Sequence, residues 1–219
     1  MAWTIIITAP AVSVKKVHKA LISLEDYEYG VDHSWTIFHN TTHLDDETDL
    51  KTPNTPPLDL SGAQTLDSTN NAFAGKTPSE VFEFVQENEK KLGGKGLTTM
   101  NLLIIDDRGF REESCLVCSI NDEDDDEDEE EEEEEEEDDE GDRSPFVMAR
   151  LPWVEAWIMF TNLDIGNMGF DEYVDEEKGK DENGEYTWKG SFSEGSEDEE
   201  ATKKREEALK KAREEGIIE

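Results

Sequence analysis

The chain has 219 residues, of which 58 are acidic and 21 are basic, so its formal net charge is −37. A field of this sign repels phosphate backbones and anionic membrane surfaces, which argues against nucleic acid and membranes as partners. Two cysteines are too few for a scaffold held together by disulfide bonds. No stretch approaches the roughly 18 apolar residues of a membrane-spanning helix. We therefore expect a cytoplasmic or nuclear protein.

The N-terminal region has the pattern of a strand followed by a helix. Residues 3–9 form a short β-branched run that is bounded by Pro10 and is typical of a buried strand. Ser13 then opens a segment whose apolar residues recur with helical spacing. These residues are Val14, Val17, Leu21 and Leu24. A strand followed at once by a helix is the first half of a βαβ unit, and residues 35–38 predict a second strand.

Two contrasting segments follow. Residues 40–71 mix Thr, Asp, Asn and Pro without periodicity, which predicts a long loop insertion. Thr77, Pro78 and Glu80 then occupy the N-cap, N1 and N3 positions of a capping box, which predicts the start of a helix. Residues 93–94 are both glycine and end this helix.

The centre of the chain predicts a β-hairpin and a further strand. Residues 102–105 and 115–120 are strand-like runs, and the turn-rich residues 106–109 between them indicate a hairpin. Residues 146–150 form another strand-like run beyond an insertion at 121–143. Because strand-like sequence lies on both sides of this insertion, it interrupts one domain rather than linking two.

The insertion contains an acidic tract, residues 122–140, in which every residue is Asp or Glu. Such a block cannot bury apolar surface to offset the entropy of ordering it, so we expect residues 121–143 to be disordered. The tract is either a solvated spacer or a segment that binds basic proteins such as histones.

Residues 193–219 predict a charged tail that carries a solvated helix. Glu and Lys pairs recur four residues apart along residues 197–215, which stabilises an exposed helix. Its apolar residues form a stripe that we expect to be too thin for firm docking. These are Ala201, Ala208, Leu209 and Ala212. Residues 1–192 predict a single α/β domain (with α+β as the alternative), whose mixed sheet of about five strands is flanked by helices.

Several motifs occur in the order of a known family. Residues 71–78 (NAFAGKTP), Arg150 and the phrase NLDIGNMGFDEY at 162–173 follow one another in the chain. They resemble the uncharacterised bacterial and fungal family called domain of unknown function 6924, in which a phrase like NLSIANMDFEEF follows an arginine-bearing strand. Gly169 stands where that phrase has Asp. The resemblance covers residues 3–192 and implies one domain, but no particular activity.

Cys115 and Cys118 spell a CxxC motif within a strand-like run. Redox chemistry requires such a motif at a helix N-terminus, where the dipole lowers a thiol pKa. In a strand, residues three apart point to opposite faces. We therefore expect these cysteines neither to pair with each other nor to bind a metal.

The histidines His33, His39 and His43 lie near Asp45 and Asp46 and have the residue types of metal ligands. Their spacing fits no compact zinc pattern, so we expect ordinary solvated side chains, no metal site and no cofactor. The sequence also lacks the motifs of nucleophilic catalysis and of nucleotide binding, which makes an enzyme the less expected function class.

One cluster of polar residues is a candidate ligand-binding site. Arg150, Glu155, Asn162 and Asn167 lie within a short segment, where they would form a small polar pocket. The alternative is structural: the asparagines cap helices and turn the chain, while Arg150 pairs with an acidic neighbour. Glu155, Asp164 and the carbonyls of the following loop are the acceptors that we expect for Arg150.

Three function classes remain for this sequence. The first, which we expect, is a non-catalytic binding or interaction module. The second is a histone-chaperone-like acidic protein that binds basic proteins through the tract at 122–140. The third is a small enzyme that uses a pocket near Arg150. In each case basic proteins are the partners that the net charge favours.

Overall fold

The computed structural model describes residues 2–30, 33–60, 62–120, 145–190 and 199–219. Within these ranges lie seven strands and five α-helices. The strands are β1 (Trp3–Ile7), β2 (Ala11–Ser13), β3 (Trp35–Ile37), β4 (Thr65–Asp67), β5 (Asn101–Ile105), β6 (Ser114–Ile120) and β7 (Phe146–Pro152). The helices are α1 (Val14–Leu24), α2 (Pro78–Gly94), α3 (Asp107–Glu112), α4 (Trp153–Asp164) and α5 (Glu199–Glu214). None of the helices in these ranges is long and apolar enough to cross a membrane.

Five of the strands form one mixed sheet, in the order β3-β1-β5-β6-β7. The neighbours β3, β1 and β5 run parallel, whereas β5, β6 and β7 are antiparallel to one another in turn. Parallel neighbours need a crossover, and α1 and α2 lie in the two crossover connections. β2 and β4 form a separate antiparallel pair. The predicted α/β class and the predicted sheet of five strands are confirmed.

The sheet separates two hydrophobic clusters, because successive strand residues point to opposite faces. In β1, Ile5 and Ile7 belong to the cluster that α1 and α4 cover. Ile6, between them, belongs to the cluster that α2 covers. Full burial of a side chain of this size contributes about 1.5–3 kcal/mol. Helices therefore cover both faces of the sheet.

The acidic insertion connects two strands that lie side by side. Ile120 at the end of β6 and Phe146 at the start of β7 are register partners in the antiparallel ladder. The insertion thus leaves and re-enters the sheet at neighbouring positions, as expected for an insertion within one domain. The prediction that residues 121–143 are disordered concerns residues outside those that the structure describes.

Residues 40–71 are not wholly a loop. They contain a 3-10 turn at Thr41–Leu44 and the strand β4, which pairs with β2. Three of their leucines, Leu44, Leu50 and Leu66, are buried. The sequence did not predict the burial of these leucines, because they are isolated in a polar segment and form no periodic apolar pattern.

Residues 106–109 do not form the predicted hairpin turn. Asp106 caps the short helix α3 instead, since its Oδ1 accepts a hydrogen bond of 2.6 Å from the backbone N–H of Gly109. Gly109 has no room for a side chain, because a Cβ would lie 2.5 Å from the carbonyl oxygen of Ser114. The connection between the antiparallel strands β5 and β6 is therefore a helix with an obligatory glycine.

The prediction that the C-terminal helix is solvated is wrong. Ala201, Arg205 and Ala212 of α5 are buried, and so is Ile218 beyond it. The helix packs against α1. Small alanines allow a close approach between helices, and an arginine supplies most of the remaining contact. The few apolar residues of α5, together with Arg205, are therefore sufficient for the helix to dock.

The capping box at the start of α2 is confirmed. The side chain of Thr77 accepts a hydrogen bond from the backbone N–H of Glu80, and the Glu80 carboxylate accepts one of 2.8 Å from the backbone N–H of Thr77. Lys76 also donates to this carboxylate at 2.8 Å. The bonds from Lys76 and Thr77 lower the pKa of Glu80 to about 2.

Replacing Thr77 with alanine is expected to lower the free energy of unfolding by about 0.5–2 kcal/mol, because the first turn of α2 loses its side-chain cap. Urea unfolding followed by circular dichroism measures the change. Thr55→Ala, at an exposed threonine in a loop, is the matched control and should leave the urea midpoint unaltered. An equal midpoint for the Thr77→Ala variant would contradict the cap.

Candidate functional site

Arg150 lies at the centre of a buried ion-pair network. Its Nε and Nη2 atoms donate to the two carboxylate oxygens of Glu185, both at 2.9 Å. Its Nη1 and Nη2 atoms donate to the two carboxylate oxygens of Asp106, at 3.1 and 2.8 Å. Nη1 also lies 3.5 Å from Ser114 Oγ. Two bidentate pairs thus occupy the guanidinium, and the Arg150 side chain is only 8% exposed.

This network favours the structural interpretation of Arg150. Burial acts to lower its pKa, but the hydrogen bonds to Glu185 and Asp106 outweigh burial and raise the pKa above its ordinary value. The prediction that Glu155, Asp164 or the following loop would accept hydrogen bonds from Arg150 is wrong. Because carboxylates already engage its three nitrogens, Arg150 holds the end of β5 to β7 rather than facing a ligand.

The sheet explains why Arg150 is separate from the other predicted site residues. Ala149 and Leu151 belong to the cluster that α1 and α4 cover, so Arg150 between them points to the opposite face. The other three predicted residues come together and line one pocket beside α4. They are Glu155, Asn162 and Asn167.

This pocket has a volume of 370 Å³ and lies between the loop after α1, the helix α4 with its following loop, and α5. We call it the aromatic pocket, because five aromatic side chains line it. They are Tyr27, Tyr29, Trp157, Tyr173 and Trp188. Four carboxylate residues line it as well. They are Glu25, Asp26, Glu28 and Glu155. Its volume lies at the lower end of the range of ligand-binding pockets, which suits a single side chain.

A row of aromatic rings forms one wall of the aromatic pocket. The rings of Tyr29 and Trp157 are stacked, with centroids 5.8 Å apart and an interplanar angle of 24°. Trp157 in turn contacts Trp3, whose Nε1 donates to Asp164 at 3.0 Å. Trp157 is buried, whereas Tyr29 is 62% exposed. The wall therefore runs from the core to the surface and ends in an exposed tyrosine.

Asp26 shapes the loop that carries the two tyrosines. Its Oδ1 accepts hydrogen bonds from the backbone N–H groups of Glu28 and Tyr29, both at 2.9 Å. This is the arrangement of an Asx-turn, which fixes a short loop without secondary structure. The hydroxyl of Tyr27 donates to the carbonyl oxygen of Ile22 at 3.1 Å. Hydrogen bonds thus fix the backbone at Tyr29 and the hydroxyl end of the Tyr27 side chain.

The charge and burial of the aromatic pocket favour a cation. Burial raises the pKa of Glu25, and His33, whose Nδ1 lies 2.8 Å from Glu25 Oε1, acts in the opposite direction. Burial, followed by the charge of Glu25, raises the pKa of Tyr27 to about 12, although Arg205 acts to lower it. Carboxylates in a poorly hydrated site attract positive charge more strongly than carboxylates in water do.

A cation from the chain itself already lies in this pocket. Arg205 of α5 places its guanidinium carbon 5.2 Å from the centroid of the Tyr27 ring, which is within the range of a cation–π contact. Burial lowers the pKa of Arg205, whereas the electrostatic influence of Tyr27, Glu155 and Asp26 acts to raise it. The aromatic pocket therefore receives a guanidinium through one aromatic face and nearby carboxylates.

The two predicted asparagines line the pocket at the end of α4 and in the loop after it. Asn167 Nδ2 donates to Asn162 Oδ1, and Asn162 Nδ2 donates to the carbonyl oxygen of Ile158, both at 2.9 Å. Gly166 between them has a φ of 63°, which glycine adopts without strain. These amides fix the loop after α4, as the structural alternative expected, and also line the pocket.

Apolar side chains remain exposed beside the aromatic pocket. Val154 and Ile158 lie one helical turn apart on α4 and are both exposed. Tyr29 adds a third exposed side chain with apolar surface to the pocket lining. We call these three residues the apolar rim.

Cys115 and Cys118 lie on opposite faces of the sheet, as predicted for a strand. Cys115 belongs to the cluster beneath α1 and α4, and Cys118 belongs to the cluster beneath α2. Both are free and buried. Burial raises the pKa of each thiol far above its ordinary value, which keeps both in the unreactive neutral form.

His33 lies apart from His39 and His43, which contact each other. His33 pairs with Glu25, and the rings of His39 and His43 meet edge to face with centroids 5.6 Å apart. Burial lowers the pKa of His39, and His43 acts in the same direction. Among the residues that the structure describes, there is no group of three or more potential metal ligands.

Three parts of the aromatic pocket were not predicted from the sequence: the loop at 25–29, Trp188 and Arg205. The loop has the sequence EDYEY, and its mixture of acids and tyrosines was the available signal for a binding site. Trp188 and Arg205 carried no local signal, because each enters the pocket from a distant part of the chain. Compared with protein-family models, with curated proteins and with solved structures, the chain matches none of them, so its resemblance to the uncharacterised family stays a prediction.

Proposed function

We propose that the protein is a non-catalytic binding module, which recognises a cationic side chain of a basic partner protein in the aromatic pocket. One observation carries this proposal: a guanidinium, that of Arg205, already lies 5.2 Å from the Tyr27 ring inside this pocket. The site thus suits the kind of group that we propose as its ligand. Lysine and arginine are the protein side chains with this chemistry.

Two forces would hold such a side chain. The ring faces of the tyrosines attract a cation by their quadrupoles, with about 0.5–2 kcal/mol for each well-placed contact. The carboxylates of Glu25, Glu28 and Glu155 add attraction of the matching sign. A neutral polar side chain would gain neither contribution, so we expect selection for charge.

The apolar rim supports a protein partner rather than an isolated cation. Val154 and Ile158 present apolar surface next to the charged opening, where residues flanking the partner's cation would pack. Exposed apolar groups clustered at a pocket are typical of interaction sites. A short peptide can contact the pocket and the rim at once, whereas a free amine contacts only the pocket.

The net charge supports basic partners independently of the pocket. A chain of formal charge −37 attracts basic proteins at long range and speeds their encounter. The acidic tract at 122–140 supplies much of that charge, so binding through the tract alone, as in a histone-chaperone-like protein, is the second candidate function. The pocket and the tract are separable by mutation.

The test measures binding of a fluorescein-labelled probe peptide, AAKARAAKA, to the full chain by fluorescence anisotropy. Tyr29→Ala should raise the dissociation constant about three- to thirtyfold, because an exposed ring that stacks on Trp157 is lost. Met100→Ala, at an exposed apolar residue that does not line the pocket, is the matched control and should leave it unaltered.

A second variant separates the two candidate functions. A two-residue Asn-Gly turn replaces residues 121–145, which is compatible with the paired ends of β6 and β7. If this variant retains affinity that depends on Tyr29, the aromatic pocket is the binding site. If binding is lost with the insertion and is indifferent to Tyr29→Ala, the tract is the binding site and the pocket proposal fails.

A further inference from the structure

The docked face of α5 consists of small residues and one arginine. Ala201, Arg205 and Ala212 are its buried residues, and their positions fall on one face of the helix. The rest of α5 is dominated by exposed Glu and Lys residues. Docking therefore depends on the guanidinium of Arg205 more than on apolar area, in contrast to α4, which buries two tryptophans and a phenylalanine.

The segment after α5 is held separately, at α1. His18 Nε2 accepts a hydrogen bond of 3.0 Å from the backbone N–H of Leu58, so its Nδ1, 2.9 Å from the carbonyl oxygen of Ile217, is the donor of the second bond. The hydroxyl of Ser13 donates to Glu219 Oε1 at 2.9 Å. α5 is thus held by Arg205 in the aromatic pocket, by the packing of its buried alanines against the domain, and by the chain end on α1.

The contact at Arg205 is the one that a partner can replace. A guanidinium or ammonium group from another chain would find the same ring face and the same carboxylates that Arg205 now uses. Since α5 buries little apolar bulk near the pocket, exchange of one cation for another costs little packing. The attachment at Ile217 would meanwhile keep the displaced helix close to the domain.

We propose that the partner is a basic helical segment that binds by displacing α5. In this segment a lysine or arginine shares one helix face with a small residue one turn away, as Arg205 does with Ala201 in α5. This inference rests on the proposed function of the aromatic pocket. α5 acts as a built-in ligand, and its spacing of Ala201 four residues before Arg205 indicates how closely a partner helix must approach. Helix-in-groove recognition uses such periodic anchors.

The built-in ligand sets a threshold for binding. Because α5 belongs to the same chain, its effective concentration at the pocket is on the order of millimolar. A partner therefore binds with an apparent affinity equal to its intrinsic affinity multiplied by the fraction of molecules in which Arg205 has left the site. Weakly basic segments would not displace α5, whereas a segment that also contacts the apolar rim would.

The test uses the full chain and a fluorescein-labelled peptide with the sequence of residues 199–214. Arg205→Gln in the chain removes the built-in cation, and Lys210→Gln removes the same charge from the exposed side of α5. Fluorescence anisotropy should give a peptide dissociation constant at least about fivefold lower for Arg205→Gln than for the unaltered chain, and an unchanged one for Lys210→Gln.

The outcomes distinguish this inference from the proposed function. Equal dissociation constants for the Arg205→Gln variant and the unaltered chain would overturn displacement. If the two dissociation constants are equal but Tyr29→Ala raises both of them, the aromatic pocket remains a cation site although displacement is overturned. If the peptide binds none of the variants, although their melting temperatures match that of the unaltered chain, both proposals are overturned.

A measurement on the unaltered chain covers the case in which Arg205→Gln unfolds. The unlabelled probe peptide AAKARAAKA is added at saturation, and amide hydrogen exchange is followed in α5. Displacement predicts faster exchange in α5 than in the absence of peptide, with α4 unchanged as the internal control. Unchanged or slower exchange in α5 would overturn displacement.

Discussion

Replacing Arg150 with methionine is expected to lower the free energy of unfolding by about 3–5 kcal/mol, because it leaves two carboxylates without the cation between them. Glu185 is almost fully buried, and Asp106 is partly exposed at the end of β5. Without Arg150 these like charges repel each other inside the protein. The loss should exceed that of any surface ion pair, since exposed pairs contribute about 0–1 kcal/mol.

Urea unfolding with two companion variants measures this effect. Arg111→Met removes an exposed arginine that lies 3.5 Å from Asp107, and should change the free energy of unfolding by less than about 1 kcal/mol. Glu185→Gln added to Arg150→Met should restore part of the lost stability, because one buried charge is then neutral. A stability of the Arg150→Met variant close to that of the unaltered chain would show that the network contributes nothing.

Phe160→Ala is expected to cost about 3–5 kcal/mol, because it opens a cavity in the aromatic core beneath the pocket. Phe160 is fully buried, and its ring centroid lies 5.0 Å from those of both Trp3 and Trp35. Trp3 also supports Trp157 in the pocket wall. We therefore expect the variant to bind the probe peptide more weakly as well as to unfold more easily.

Two comparisons identify the cavity as the cause. Ile165→Ala removes an exposed apolar side chain just beyond the same helix and should leave stability within about 0.5 kcal/mol of the unaltered chain. Phe160→Leu fills most of the space and should lose less stability than Phe160→Ala. Equal losses for leucine and alanine at this position would indicate that a cavity is not the source of the effect.

Local patterns explain how much of the fold was predictable. The β-branched run of β1, the helical spacing after Ser13 and the capping box at Thr77 each depend on residues that are close in sequence. Such short-range signals specify elements and their ends. The parallel half of the sheet follows from their order, because the long connections that contain α1 and α2 allow the crossovers that parallel neighbours need.

Long-range contacts explain what was not predictable. Arg150 is 44 residues from Asp106 and 35 residues from Glu185 in sequence, so its partners gave no local signal. Strand alternation also placed Arg150 on the opposite face from Glu155, which proximity in sequence obscured. The docking of α5 was missed because its anchor, Arg205, is charged and hydrophobicity does not identify charged anchors.

The part of the candidate site whose residues are close in sequence was predictable. Glu155, Asn162 and Asn167 share one helix and its following loop, so the sequence placed them together. The tyrosines of the loop after α1 and Trp188 reach the pocket only through the fold. A polar cluster was therefore predicted where the structure has a pocket that five aromatic side chains also line.

The most direct test of the aromatic pocket follows tryptophan indole signals by nuclear magnetic resonance during titration with the probe peptide. Trp157 and Trp188 line the pocket, whereas Trp35 and Trp153 do not; their indole N–H groups donate to the carbonyl oxygens of Leu24 and Ser114 and serve as internal references. We expect saturable shifts for Trp157 and Trp188, unmoved reference signals, and weaker binding of the peptide to the Tyr29→Ala variant. Tight peptide binding that leaves the Trp157 and Trp188 signals in place would contradict this expectation.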